Sequence, residues 1–254
     1  VLGGLGFLVL RELRQYLAAD RRKRRPRLSL HTKMVVTTTL GLLVAWAVGL
    51  YLLEYLANGG QVWRGSLWPV LFTAVTPRTA GFNTLPMADL TNASLLFIMM
   101  LMFIGGSPGS TAGGVETTTL ATLVALIASR LRGHTQVTQF KRRISEAQVG
   151  EALTLVLIVA MALCLAVVLL VGMDLDQAGR DRTDFITYAF EAVSAFGTVG
   201  LSMGITYDLG PGAKLVLIGL MFLGRLGPLT IVYVLGMRYT PERYKLAEER
   251  VMLG

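Results

Sequence analysis

Long uncharged stretches dominate the chain, and they predict helices that cross a lipid bilayer. Residues 35–53 carry no charge, and the apolar stretch continues past Glu54. Residues 152–173 are uncharged throughout, and residues 215–237 are apolar apart from Arg225. A helix needs about 20 residues to cross about 30 Å of hydrocarbon. Each of these stretches therefore predicts one spanning helix.

Two shorter apolar stretches, residues 66–76 and 185–196, are too short to span the bilayer and predict re-entrant half-helices. A further charge-free stretch at 90–115 has a middle that is rich in glycine. The predicted fold class is therefore an all-α integral membrane protein built from spanning helices and half-helices.

The composition favours a membrane protein over a soluble one. The 254 residues are 53% hydrophobic and only 16% charged, whereas soluble domains carry about 25% charged residues. The one cysteine, Cys164, cannot form an intramolecular disulfide and is expected to be buried as a small apolar side chain. The two histidines have no carboxylate or thiol nearby in sequence, so nothing supports a soluble enzyme.

The basic residues predict the orientation of the chain. Three predicted loops, at 11–33, 130–143 and 238–250, contain most of the 24 Lys and Arg residues, and such basic loops face the cytoplasm. All three lie on one side only if the half-helices return to the outer side. The basic run at 21–27 is then a lipid-facing loop, and no nucleic-acid partner is expected despite the net charge of +8. No cleavable signal peptide is visible, and we expect an upstream part because the chain starts in an apolar stretch without Met.

The chain also contains an internal repeat. A constant shift along the sequence places Thr79 on Thr198 and Gly81 on Gly200. Each unit reads as a spanning helix, an outer loop, a half-helix, a glycine-containing turn and a spanning helix. The predicted boundaries are 1–33 for the end of a preceding unit and a basic cytoplasmic loop, 34–133 for the first unit, 134–150 for a cytoplasmic linker, 151–238 for the second unit and 239–254 for a cytoplasmic tail.

The turn after each half-helix predicts a binding site for a monovalent cation. The sequences are T-P-R-T-A-G-F-N-T at 76–84 and A-F-G-T-V-G-L-S at 195–202, and neither contains a carboxylate. Backbone carbonyls in such turns can replace the water around an ion, and glycine permits the dihedral angles that this requires. The negative end of each half-helix dipole also points toward the ion. A pair of ordinary glycine turns is the alternative interpretation.

A glycine-rich loop at 105–114 interrupts the last helix of the first unit. A phosphate-binding loop is not expected, because no Lys follows in the pattern G-x-x-x-x-G-K-S/T and Glu116 lies just beyond. A simple packing kink remains open. Ser107, Ser110 and Thr111 can satisfy backbone groups that the break leaves free.

Arg225 is a charge in the middle of an apolar stretch, where it costs at least ~2.5–3.5 kcal/mol. The repeat places it opposite Gly106, at the level of the glycine-rich loop. We expect it to donate hydrogen bonds to loop carbonyls and to oppose cation passage, while snorkelling toward the inner headgroups is the alternative. Glu191, in the second half-helix, either enriches cations or pairs structurally. Pro228 is expected to kink the last helix.

Both turns and the loop at 105–114 together resemble the Trk/Ktr/HKT cation transporters, in particular the KtrB-like membrane subunits of bacterial Ktr potassium uptake systems. The resemblance covers essentially the whole chain. That family has four pore-loop units around one pore, and residues 34–133 and 151–238 resemble the third and fourth, while the first two are absent. The resemblance therefore implies repeated helix–pore loop–helix units, as in potassium channels.

The resemblance implies potassium uptake through a selectivity filter and a flexible intramembrane gate. The implied filter residues are Thr79, Ala80, Gly81, Phe82, Thr198, Val199, Gly200 and Leu201. Potassium is expected at Thr79, Ala80, Gly81, Thr198, Val199 and Gly200. The implied gate residues are Gly105, Gly106, Ser107, Gly109, Ser110, Thr111, Gly113, Gly114 and Arg225. We expect this gate loop to lie below the filter, without contact to the selected ion.

The resemblance also implies sodium dependence in some members, a homodimer with a second copy, a cytosolic KtrA-like ring of nucleotide-binding subunits and a multi-pass position among the lipids of the inner (plasma) membrane. The alternative function is a secondary transporter that holds an anionic solute at half-helix N-termini. Units of the same orientation, with turns at half-helix C-termini, favour the cation pore.

Overall fold

The computed structural model of the protein describes residues 2–19, 28–57, 68–134, 136–140, 142–174 and 185–227, and these are mostly helical. The helices are α1 (Phe7–Ala18), α2 (Leu30–Ala57), α3 (Trp68–Val75), α4 (Asn92–Phe103), α5 (Thr117–Leu131), α6 (Glu146–Asp174), α7 (Phe185–Gly197) and α8 (Pro211–Leu226). Two short strands, β1 (Thr138–Gln139) and β2 (Arg142–Arg143), form an antiparallel pair between α5 and α6. Short 3-10 turns lie at Leu2–Leu5, Met87–Asp89 and Ile205–Tyr207.

The described helices follow the predicted lengths closely. α2 and α6, with 28 and 29 residues, are the two described helices that are long and apolar enough to cross a membrane. α3 and α7 have 8 and 13 residues, which confirms that these segments are too short to span. The stretch at 215–237 is helical as α8 as far as Leu226, and Pro228 with the rest of that stretch lies outside the described residues.

The half-helix α7 packs against helices of its own unit and of the first unit, and this packing fixes the turn that follows it. α6, α7 and α8 share an apolar core that includes Leu170, Phe196 and Leu217. On its other side α7 packs on α4 of the first unit, where Phe190 joins a cluster with Met102. The second turn is therefore positioned by helices from both units.

Two local expectations are wrong. The segment at 11–33 is not a loop throughout, because α1 continues through Arg11 and Arg14 to Ala18 and α2 begins at Leu30. Cys164 is exposed rather than buried. The buried face of this part of α6 carries Leu163 and Val167, and Cys164 lies beside that face, where the weakly polar thiol is compatible with an apolar surrounding.

Candidate cation filter and gate

Each half-helix runs directly into a turn with the same unusual backbone. In the turn after α3, φ is 58° at Thr79 and 73° at Gly81. In the turn after α7, φ is 50° at Thr198 and 91° at Gly200. A positive φ is rare for a β-branched residue such as threonine, and it persists only where the surrounding structure imposes it. The two turns thus repeat one strained conformation at matching positions.

A buried hydroxyl group braces the C-terminal end of each turn. Thr76 Oγ1 donates a hydrogen bond to the carbonyl of Phe82, and Ser194 Oγ donates to the carbonyl of Leu201 at 2.6 Å. Both hydroxyl-bearing residues are buried at the C-terminal ends of the half-helices. Phe82 and Leu201 match in the repeat, so both turns are held in the same way.

The two turns contact each other. A Cβ atom on Gly81 would lie 2.4 Å from the carbonyl oxygen of Val199, and one on Gly200 would lie 3.6 Å from the Cα of Gly81. Glycine is therefore required at Gly81 both for its positive φ and for the close approach of the second turn. The structure thus brings Gly81 of the first turn against Val199 and Gly200 of the second.

Glu191 holds the second turn from behind. Its carboxylate, on a residue that is only 5% exposed, accepts hydrogen bonds from Ser202 Oγ, from the N–H of Met203 at 3.1 Å and from Thr206 Oγ1 at 3.0 Å. Hydrogen bonds to a charged acceptor are stronger than those between neutral groups. This geometry supports the structural pairing of Glu191 over a role in cation enrichment.

The glycine-rich loop is closed at its base by backbone hydrogen bonds. The Gly105 N–H donates to the Val115 carbonyl at 2.9 Å, and the Thr117 N–H donates to the Gly106 carbonyl at 2.8 Å. A Cβ atom on Gly105 would lie 1.6 Å from the carbonyl oxygen of Gly113, so the narrow base requires glycine. The predicted interruption between α4 and α5 is confirmed.

The loop lies between the N-terminal segment and the second unit. On one side, the N–H and the Oγ of Ser107 donate to the Gly4 carbonyl at 2.8 and 3.1 Å. On the other side, Arg225 Nη1 donates to the Thr111 carbonyl. Arg225 and the loop line one cavity of about 160 Å³. Arg225 thus makes the expected contact with a loop carbonyl, at the level that the repeat indicates.

The loop also packs against the second filter turn, a contact that the sequence does not predict. A Cβ atom on Gly113 would lie 2.5 Å from Thr198 Oγ1, so the loop backbone touches the second filter turn. Thr198 and Arg225 also line a common cavity of about 450 Å³, so filter and gate residues border one space.

Sequence reasoning missed Arg78, which counted only as one of the few basic residues outside the three rich segments. The residue is 7% exposed, and its Nη2 donates to the Gly105 carbonyl at 3.2 Å. A signal was present, because Arg78 is a charge between Pro77 and Thr79 in a turn that follows an apolar half-helix.

Comparison with known proteins gives one family for nearly the whole chain. The family described as "TrkH: Cation transport protein" matches residues 3–238. The chain is 37% identical over 260 residues to the potassium/sodium uptake protein NtpJ of Enterococcus hirae. It is 35% identical over 257 residues to the Ktr system potassium uptake protein D of Bacillus subtilis, and 34% identical over 257 residues to the Ktr system potassium uptake protein B of Vibrio alginolyticus.

These alignments cover 100% of this chain but only 55%, 55% and 54% of the three relatives. The chain therefore spans about half the length of the curated relatives it matches. Among solved structures, the potassium transporter TrkH of Vibrio parahaemolyticus matches with a TM-score of 0.68 and 20% identity, over 96% of this chain and 51% of that one. This likeness confirms the predicted fold class.

Proposed function

Since this chain belongs to the TrkH family of cation transport proteins, we propose that it conducts potassium ions across the cell membrane through a filter formed by its two turns. The observation that carries this proposal is the positive φ at Thr79 and Gly81, repeated at Thr198 and Gly200. Backbone carbonyls in a pore loop can replace the hydration shell of potassium. Both turns follow the C-terminal end of a half-helix, where the dipole favours a cation over an anion.

The ion-binding groups in this proposal are the backbone carbonyls of Thr79, Ala80, Gly81, Thr198, Val199 and Gly200, while the braced residues Phe82 and Leu201 close the outer end. Potassium is the transported ion, and sodium is a second ion that the filter admits or that supports uptake. The name of one relative, a potassium/sodium uptake protein, supports the inclusion of sodium.

The loop at 105–114 and Arg225 form the gate in this proposal. The loop carries five glycine positions that permit rearrangement, and the Arg225 guanidinium holds it through the Thr111 carbonyl. A positive charge beside the cavity that Thr198 also lines opposes a cation in the same space. The gate is closed while this hydrogen bond is formed.

The proposal includes a position and partners for the protein. The chain crosses the inner (plasma) membrane several times, with segments 11–33, 130–143 and 238–250 on the cytoplasmic side. A second copy forms a homodimer with it, lipid surrounds it, and a KtrA-like ring of nucleotide-binding subunits regulates it from the cytosol. Two relatives carry the name of a Ktr system, which supports a transporter of several components.

Ion flux into vesicles tests the proposed function. The protein is expressed from its own gene and reconstituted, and the entry of potassium, sodium and chloride is compared with that in empty vesicles. We expect potassium to enter fastest and chloride to stay at the level of empty vesicles. Entry of the anion in preference to both cations would overturn the proposal and favour an anion transporter with broken helices.

A further inference from the structure

Arg78 connects the first filter turn to the first residue of the gate loop. Its backbone N–H donates to the Val75 carbonyl at 3.2 Å, at the end of α3. Its side chain reaches the loop, where Nη2 donates to the Gly105 carbonyl at 3.2 Å. The residue is 7% exposed. The backbone of Arg78 therefore belongs to the first turn, while its buried guanidinium contacts the gate loop.

The acceptor of this hydrogen bond lies at the base of the loop. The Gly105 N–H donates to the Val115 carbonyl at 2.9 Å, while the Gly105 carbonyl accepts from Arg78. Gly113 packs so closely on Gly105 that a Cβ atom on Gly105 would lie 1.6 Å from the Gly113 carbonyl oxygen. Any movement that opens the base of the loop therefore displaces the acceptor of Arg78.

The second unit fills the same position without an arginine. Gly197 matches Arg78 in the repeat, and Gly224 matches Gly105. The Gly224 carbonyl accepts instead from the backbone N–H of Gly114, at 3.4 Å, and Gly114 belongs to the gate loop. The arginine is thus a feature of the unit that carries the loop, and in the other unit a loop residue takes the place of its guanidinium.

The guanidinium has little else to hold it. Nη1 is buried and has no hydrogen-bond partner among the described residues. Among the described residues, the salt bridge that the structure shows joins Arg143 to Glu146 and does not involve Arg78. A buried charge is costly unless its donors are used, so the Gly105 carbonyl is what keeps Arg78 in place.

We propose that Arg78 is a positioning residue that couples the gate loop to the selectivity of the filter. While the Gly105 carbonyl accepts the hydrogen bond from the guanidinium, the first turn keeps the geometry that prefers potassium. When the loop moves, this hydrogen bond breaks and the turn loses that geometry. This inference rests on the proposed roles of the two turns and the loop.

Ion preference in a double-mutant cycle tests the coupling. The protein expressed from its own gene is compared as wild type, Arg78→Gln, Arg225→Ala and the double variant, and the potassium-to-sodium permeability ratio is measured in vesicles. We expect Arg78→Gln to lower the ratio about tenfold, as the loss of one hydrogen bond from a charged donor implies, and Arg78→Lys to lower it less. Arg225→Ala, which loosens the loop, should lower the ratio in the wild type but not in Arg78→Gln.

Lys214→Gln is the matched control, because Lys214 Nζ also donates to a backbone carbonyl, that of Tyr207 at 3.2 Å, but through an exposed hydrogen bond that involves neither turn nor the gate loop. Its ratio should stay at the wild-type value. An unchanged ratio in Arg78→Gln, or effects of Arg78→Gln and Arg225→Ala that simply add, would overturn the coupling. Loss of assembled protein in both Arg78→Gln and Arg78→Lys would also overturn it in favour of a structural role. Wild-type protein without potassium entry would instead refute the proposed function itself.

Discussion

Thr79 and Thr198 share a left-handed backbone, with φ of 58° and 50°, at matching positions of the two repeated units. A single threonine in this region could reflect one strained loop. Two such residues, each after a half-helix and in turns that touch at Gly81 and Val199, indicate a common requirement of the site. Strain of this kind is typical of positions where the backbone itself contacts a ligand.

Arg225→Ala removes both the hydrogen bond to the Thr111 carbonyl and a positive charge beside the cavity. Maximal potassium flux should rise about tenfold, since a hydrogen bond from a charged donor contributes about 1.5–3 kcal/mol. Arg225→Lys should give a smaller increase, because lysine keeps the charge but lacks the planar set of donors. Initial uptake rates are measured beside membrane abundance. Normal abundance with slower or unchanged uptake would rule out the gate role.

Gly113→Ala tests the contact between the loop and the filter. The new Cβ atom would lie 2.5 Å from Thr198 Oγ1, so either the loop or the turn must move. We expect both the rate of flux and the potassium-to-sodium preference to change. Gly41→Ala, where no atom lies within 4 Å of the new Cβ, is the control and should behave as wild type. A change in rate with unchanged preference would show that the contact does not affect the filter.

Glu191→Gln keeps the shape of the side chain but removes one of the two acceptor oxygens. A donor on Ser202, Met203 or Thr206 loses its partner, which costs about 1–3 kcal/mol of stability. The unfolding temperature of the protein in detergent should fall. Glu146→Gln, on an exposed ion pair, should leave it nearly unchanged. If Glu191 enriches cations instead, stability stays constant and uptake weakens only at low potassium.

Chemical labelling tests the proposed orientation. In a Cys164→Ser background, single cysteines are placed at Tyr207, which is 90% exposed, and at Arg132 after α5. A membrane-impermeant maleimide added to intact cells should label Tyr207→Cys and should reach Arg132→Cys only after permeabilisation. The opposite pattern would contradict the assignment of the basic segments to the cytoplasm.

Sequence predicts most of the helices and the break between α4 and α5, because their signals are local. Charge-free runs of sufficient length mark α2 and α6, and shorter runs mark α3 and α7. The end of α1 was missed because Arg11 and Arg14 resemble loop residues, although arginine is a good helix former. The basic segment thus contains both the end of a helix and a loop, and the sequence alone does not show where the helix ends.

Contacts between distant segments could not be predicted in the same way. The packing of Gly113 on Thr198 and the hydrogen bond from Arg78 to Gly105 both depend on how the base of the loop closes. Arg225 was an exception, because the repeat matches this residue to Gly106 and so predicts from the sequence that it lies beside the glycine-rich loop. The position of Arg78, a charge in a turn after an apolar half-helix, marks it as unusual, but it does not indicate that its partner is the Gly105 carbonyl.

The potassium-to-sodium permeability ratio of three glycine variants tests the filter most directly. Gly81→Ser and Gly200→Ser each place a side chain on a backbone with positive φ between the two turns, while Gly133→Ser does so in open space, at φ of 74°. Backbone strain is thus comparable, and only the location differs. We predict that the ratio falls in Gly81→Ser and Gly200→Ser and stays at the wild-type value in Gly133→Ser. Wild-type ratios in both turn variants, with the protein assembled, would contradict the filter.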